Sequence, residues 1–263
     1  MPDETPRRID TSVPHSARIW NYWLGGKDHF AADQEAGDAY REVFPLIETF
    51  ARESRGFLRR SVTYLAAEAG MTQFLDLGAG LPTVNNTHEV AQRIAPTARV
   101  VYVDHDPLVL LHVHALLTST AEGATAYIEA DMRDTDVVLD GAADTLDMSR
   151  PVALVISDVL GHIVDFDEAL ALVERLVDRL PSGSYLALSH AAAADAGHAA
   201  AQETYNASGA VPYILRTPEQ IARFFDGLEL VEPGVVSWPH WHPDATTTSV
   251  AERGGWGGVA RIP

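Results

Sequence analysis

The residues that could do chemistry in this chain are four aspartates at equivalent places. Asp76 lies within the end of the apolar run Phe74–Leu77, and Asp104 follows Val100–Val103. Asp131 follows Ala126–Ala130, and Asp158 follows Val152–Ser157. Each run is short, rich in β-prone residues and bounded by polar ones, so each reads as a buried strand. The first leads into Gly78-Ala79-Gly80-Leu81-Pro82, which reads as a tight turn with Pro82 opening a helix. Gly78 and Gly80 lack a Cβ, take positive φ at little cost and let a ligand approach the backbone. In an open parallel sheet the strand ends converge on one rim, where ligands bind. Asp is a common helix N-cap, so no single one carries weight. The series does.

The turn narrows the ligand. A dinucleotide fingerprint places a third glycine where this chain has Thr83, and a phosphate-cradling Gly-x-x-x-x-Gly-Lys-Ser/Thr is absent. With Asp76 two residues before the first glycine, the stretch is similar to the first motif of class I methyltransferases, which bind S-adenosylmethionine. Their third glycine falls on Pro82. That resemblance places Gly78, Ala79 and Gly80 around the methionine part, with Asp76 near its ammonium. Asp104, 24 residues after Gly80, stands where an acid accepts ribose hydroxyls, with His105 beside it. Asp131 would accept the adenine amine and Met132 would pack on the ring. An acidic rim suits a sulfonium better than a polyphosphate.

These sites need elements to hold them. Helices are expected over about 15–24, 31–43, 48–69, 83–94, 107–118, 167–180 and 219–225, and a fifth strand over Ser184–Ser189. Leu228–Val236 and Gly257–Ile262 read as a terminal hairpin pair. Strands alternating with helices make an α/β protein with a doubly wound, mostly parallel sheet. Residues 1–45 read as a tail and helical cap or lid, and residues 46–263 as a Rossmann-like core. In the cap, Trp20, Tyr22 and Trp23 adjoin Gly25-Gly26 and Lys27, the single lysine among 19 basic residues.

Composition excludes several classes. A formal net charge of −18 disfavours binding to a nucleic-acid backbone, which needs a basic patch. No apolar run spans a bilayer, the N-terminus lacks a signal core, and there is no cysteine, so a cytoplasmic location is expected. The 11 histidines include His112, His114 and the run His240-Trp241-His242, but no helical ligand pair, so no metal is expected. A Gly-x-Ser-x-Gly elbow is absent.

Longer stretches resemble an actinobacterial family of S-adenosylmethionine-dependent methyltransferases, formerly catalogued as a domain of unknown function. They are Ala17–Asp33, Leu75–Pro82 with Asn86–Ala91, Tyr102–Pro107, Ala130–Asp134, Pro181–Leu186 and Phe224–Leu230. The resemblance spans nearly the whole chain and implies a seven-stranded class I sheet under an N-terminal helical cap. It departs at Ser157–His162, where the family tends toward an apolar stretch with a Leu-His pair. Asp158 and His162 are expected beside the transferred methyl group, His162 as a base toward an oxygen or nitrogen acceptor. Arg18, Tyr22 and Lys27 are expected to point inward, toward the cofactor carboxylate or the acceptor. The acceptor is expected to be a small molecule. The alternative is a protein that binds S-adenosylmethionine without turnover, as a sensor or assembly subunit. Neither the acceptor nor the oligomeric state is readable from the sequence.

Overall fold

The computed structural model describes residues 10–106, 109, 119–247 and 254–263. The tail expected over 1–9 and the helix expected over 107–118, apart from residue 109, lie outside the described residues, as do His112 and His114. The sheet has eight strands: β1 (Gln73–Leu77), β2 (Arg99–Asp104), β3 (Ala124–Glu129), β4 (Ala153–Ser157), β5 (Tyr185–Ala191), β6 (Glu229–Leu230), β7 (Val236–Ser237) and β8 (Gly255–Arg261). The order is β3-β2-β1-β4-β5-β8-β6, with β7 also on β8. The first five are parallel, and β8 is antiparallel to β5, β6 and β7. The expected count of seven is therefore corrected to eight. The segment read as one strand over 228–236 breaks at Pro233, which has no N–H to donate, and at Gly234, with φ +86°. Two short strands result.

From β1 the chain winds outward through β2 and β3, then returns to place β4 on the other side of β1. The switch point lies between β1 and β4, where a doubly wound sheet opens a crevice. Helices are α1 (Ser16–Trp23), α2 (Ala31–Val43), α3 (Ile47–Ala67), α4 (Thr87–Ile94), α5 (Thr135–Ala142), α6 (Phe166–Val177), α7 (Ala196–Asn206) and α8 (Pro218–Arg223). They cover both faces, so β1 is buried at every position. Side chains alternate across a strand. Phe74 joins the apolar layer under α3, while Leu75 and Leu77 join the opposite layer with α5 and α6. Asp76 thus shares a face with Phe74 and looks toward α3. Phe50, Phe57, Leu58, Val62 and Leu65 of α3 are buried there, the stripe their spacing predicts. Among the described residues no helix is long and apolar enough to cross a membrane.

Helices α1 and α2 lie outside the sheet yet are part of the core. Ile19, Trp23 and Tyr40 are buried in the same apolar layer as α3. The Trp23 and Tyr40 rings are 5.0 Å apart. A buried ion pair joins α1 to α2, with Arg18 Nε 2.8 Å from Asp33 Oδ2. Asp33 also accepts the N–H groups of His15 and Phe30, each at 2.8 Å.

Candidate active site

A cavity of about 350 Å³ opens at the switch point. Its floor is the glycine turn. Gly78 and Gly80 have φ of +70° and +61°, the left-handed region that glycine takes freely. The Val159 side chain occupies the space a Cβ on Gly78 would need, so the turn packs directly on the loop after β4. Pro82, expected to open a helix, instead lies in a loop. The helix begins at Thr87, where Asn86 and Glu89 form a reciprocal cap.

The four aspartates all line this cavity, with Ala79, His105, Met132 and His162. Asp104 Oδ2 accepts the Gly80 N–H at 2.9 Å and Oδ1 accepts that of Asp106 at 3.1 Å. Each oxygen keeps a second lone pair for a guest. Asp131 is gripped by Arg133, at 2.6 Å and 3.0 Å, which holds its carboxyl below the usual range. Asp76 is 6% exposed and accepts the Thr87 hydroxyl at 2.6 Å. Burial pushes its pKa up to about 6.

Asp158 has φ +53°, a conformation Asp tolerates better than most residues. Its Oδ2 accepts hydroxyls from Ser54 at 2.5 Å and Ser189 at 3.2 Å. Its buried Oδ1 has no hydrogen-bond partner. Burial pushes this carboxyl, too, up to about 6. His162 ends a short 3₁₀ turn, Leu160–His162, and its Nδ1 lies 2.9 Å from the Pro212 carbonyl. A carbonyl only accepts, so Nδ1 carries the proton. Burial pushes the ring pKa down, so the ring is neutral and Nε2 keeps its lone pair.

Arg18, Tyr22 and Lys27 do not line the cavity, and the expectation that they point inward is corrected. Arg18 is spent on Asp33 and on the carbonyls of Asp10 and Val13. Tyr22 donates to Asp38 at 2.7 Å, and Lys27 is exposed. The α1 segment does line the cavity, through His15, Ser16, Ala17, Trp20, Asn21 and Trp23. His15 Nδ1 accepts the Ala17 N–H, and its Nε2 reaches Asp106 at 2.8 Å, fastening α1 across the end of β2.

Two residues of α3, Ser54 and Arg55, line the cavity and escaped the sequence reading. Arg55 Nη2 donates to the carbonyls of Val84 and Asn85, at 3.3 Å and 3.1 Å, and its buried Nε donates to nothing. Among the described residues it forms no ion pair, although it attracts both Asp76 and Asp158. The available signal was Ser54, a polar residue one turn from both Phe50 and Leu58 on an otherwise apolar stripe.

The model of a family described as S-adenosyl methyltransferase matches residues 2–263. The chain belongs to this family. As a methyltransferase-family protein it takes S-adenosylmethionine as cofactor and has the class I methyltransferase fold. It is similar to a DUF574 family protein from Streptomyces avermitilis, at 48% identity over 97% of this chain and 100% of that one, with a TM-score of 0.93. It is also similar to a Thermobifida fusca protein put forward as a methyltransferase, at 40% identity over 99% of both chains, with a TM-score of 0.86. These actinobacterial relatives agree with the resemblance drawn from motifs. The N-methyltransferase NodS of Bradyrhizobium japonicum, solved with S-adenosyl-L-homocysteine, shares 15% identity over 81% of this chain and 88% of its own, with a TM-score of 0.50. That likeness is one of fold. No curated protein matches the chain.

Proposed function

We propose that this methyltransferase-family protein transfers the cofactor's methyl group to a small-molecule acceptor, with residues 10–45 as a fixed wall of the site rather than a detachable lid. One observation carries the reading. A single cavity holds the glycine turn and its aspartates on one side and side chains of α1, α2 and α7 on the other.

S-adenosylmethionine, when bound, supplies an electrophilic methyl group on a sulfonium. The open groups of the cavity fit it. Asp104, fixed by two backbone N–H groups, would accept the ribose hydroxyls. Met132 and Asp131 would meet the adenine. Asp76 and the turn at Gly78–Gly80 would hold the ammonium. Arg55 would take the carboxylate, the role first expected of Arg18, Tyr22 and Lys27. Asp158 and His162 would face the methyl group, where a neutral His162 is able to accept a proton. Alignment of donor and acceptor supplies much of the acceleration in any case.

Calorimetry tests the cofactor part. S-adenosylmethionine and its demethylated product should both bind. Asp104→Ala should weaken them by about 1.5–3 kcal/mol, the range for hydrogen bonds involving a charged group. Unchanged affinity would clear Asp104 of the ribose role, and absence of heat with either ligand would remove the site. Binding without methyl release from labelled cofactor to an added acceptor extract would favour the sensor reading.

The acids predict a pH dependence. Asp76 and Asp158 keep their protons in the folded state up to about pH 6, while the unfolded chain releases them near 4. Their contribution to stability is therefore complete below about pH 4 and is lost as pH rises through about 6. A cationic ligand reverses this preference, because it binds the ionised carboxylates. Affinity for S-adenosylmethionine should rise between about pH 5 and about pH 7, with protons released on binding. Calorimetry in two buffers of different ionisation enthalpy reads both. A flat profile without proton release would show that neither acid faces the cofactor's charge.

A further inference from the structure

The half of the cavity away from the glycine turn has an unusual chemistry. It is walled by rings: Trp20 and Trp23 from α1, Tyr40 from α2, Phe50 from α3, and Tyr205 and Tyr213 beyond. Two of the tyrosine hydroxyls meet the protein's own groups: Tyr40 donates to Gln202 at 3.1 Å, and Tyr213 accepts the Ala191 N–H at 3.3 Å. What the six residues share toward a guest is ring surface.

The nearby histidines are neutral. His198 Nδ1 accepts the Ala194 N–H, the ring stacks on Phe44 at 4.4 Å, and burial lowers its pKa to about 4. His162, whose ring lies 5.1 Å from Tyr213, is neutral for the reason given above. Among the described residues, no lysine or arginine joins this half. The formal charge here is that of Asp158, with one oxygen unpartnered. Arg55 attracts it from the cofactor side but forms no ion pair with it.

We propose that the acceptor is an amine on an apolar body, received as its ammonium ion between the rings and Asp158. This rests on the cofactor reading, because a cofactor carboxylate takes up Arg55, the arginine that attracts Asp158, and the demethylated cofactor brings no sulfonium to replace it. An ammonium supplies the donor that Oδ1 lacks and the cation that aromatic faces attract. A carboxylate or phosphate guest would bring a second anion to a buried anion. An alcohol would satisfy Oδ1 but leave the charge uncompensated.

The chemistry balances. Asp158 takes one proton from the ammonium, leaving a neutral amine with a lone pair. The nitrogen forms a bond to the methyl carbon as the bond from that carbon to sulfur breaks. The sulfonium becomes a thioether, the methylated nitrogen carries the positive charge, and Asp158 passes its proton to solvent.

The test is equilibrium binding to the full chain saturated with S-adenosyl-L-homocysteine, read by tryptophan fluorescence. The probes are 2-phenylethylammonium, 2-phenylethanol and 3-phenylpropanoate, which share a ring and differ in the polar end. The ammonium should bind about tenfold tighter than the alcohol, and the carboxylate most weakly. Asp158→Asn, which suits a positive φ, should erase the preference of the ammonium over the alcohol. Equal or tighter binding of alcohol or carboxylate by the wild-type protein overturns the inference without any variant. So does a preference that survives Asp158→Asn. If S-adenosyl-L-homocysteine itself does not bind, it is the cofactor reading that has failed.

Discussion

Replacing Asp33 by alanine is expected to destabilise the protein by about 3–5 kcal/mol, the usual cost of removing one partner of a buried ion pair. Asp33 is fully buried, pairs with the Arg18 guanidinium and accepts the backbone N–H groups of His15 and Phe30. Its loss leaves a buried cation and two unsatisfied amides where α1 meets α2. Urea unfolding reads the effect as a lower midpoint at unchanged slope. The double variant Arg18→Met with Asp33→Leu should recover part of the loss, since it removes both charges. A cost below about 1 kcal/mol for Asp33→Ala would mean the pair is not structural, and Arg18 would again be open to a ligand role.

The second large effect is expected from Arg55→Met, which keeps the stem and removes the charge. If Arg55 holds the cofactor carboxylate, affinity for S-adenosylmethionine should fall by about 2–5 kcal/mol, thirtyfold or more in Kd. 5′-Methylthioadenosine, which lacks the amino-acid part, separates the readings. It should bind wild type and variant alike. Equal weakening of both ligands would show that Arg55 acts by holding the Val84–Asn85 loop rather than by meeting the carboxylate.

Most of the sheet was legible because its signal is local. An apolar run of the right length located β1 to β5 within about two residues at either end, and an acid at the end of the first four runs marked the rim. The spacing of Phe50, Phe57, Leu58, Val62 and Leu65 located α3. What was missed depends on partners distant in sequence. Helix α7, over Ala196–Asn206, is alanine-rich and weakly patterned, and its packing on α2 is a tertiary fact. The same holds for the site. Glycines and aspartates of the rim announce themselves by type and place. Arg55 does not, because an arginine on a helix reads as a solvated face unless one knows that Asp76 shares the α3 side of the sheet. Arg18 misled for the opposite reason. It stands in a conspicuous motif, but the residue that claims it, Asp33, is 15 positions away. Their pairing follows only once α1 and α2 fold back on each other.

The burial of Ile19, Trp23 and Tyr40 in the layer under α3 has a thermodynamic consequence. A wall that forms with the core is ordered once, when the chain folds, and its entropic cost is carried by global stability rather than by each binding event. Ligands then meet a preshaped surface. The heat-capacity change on cofactor binding should reflect only the area the cofactor itself covers, without the large negative excess that accompanies the ordering of a loose segment.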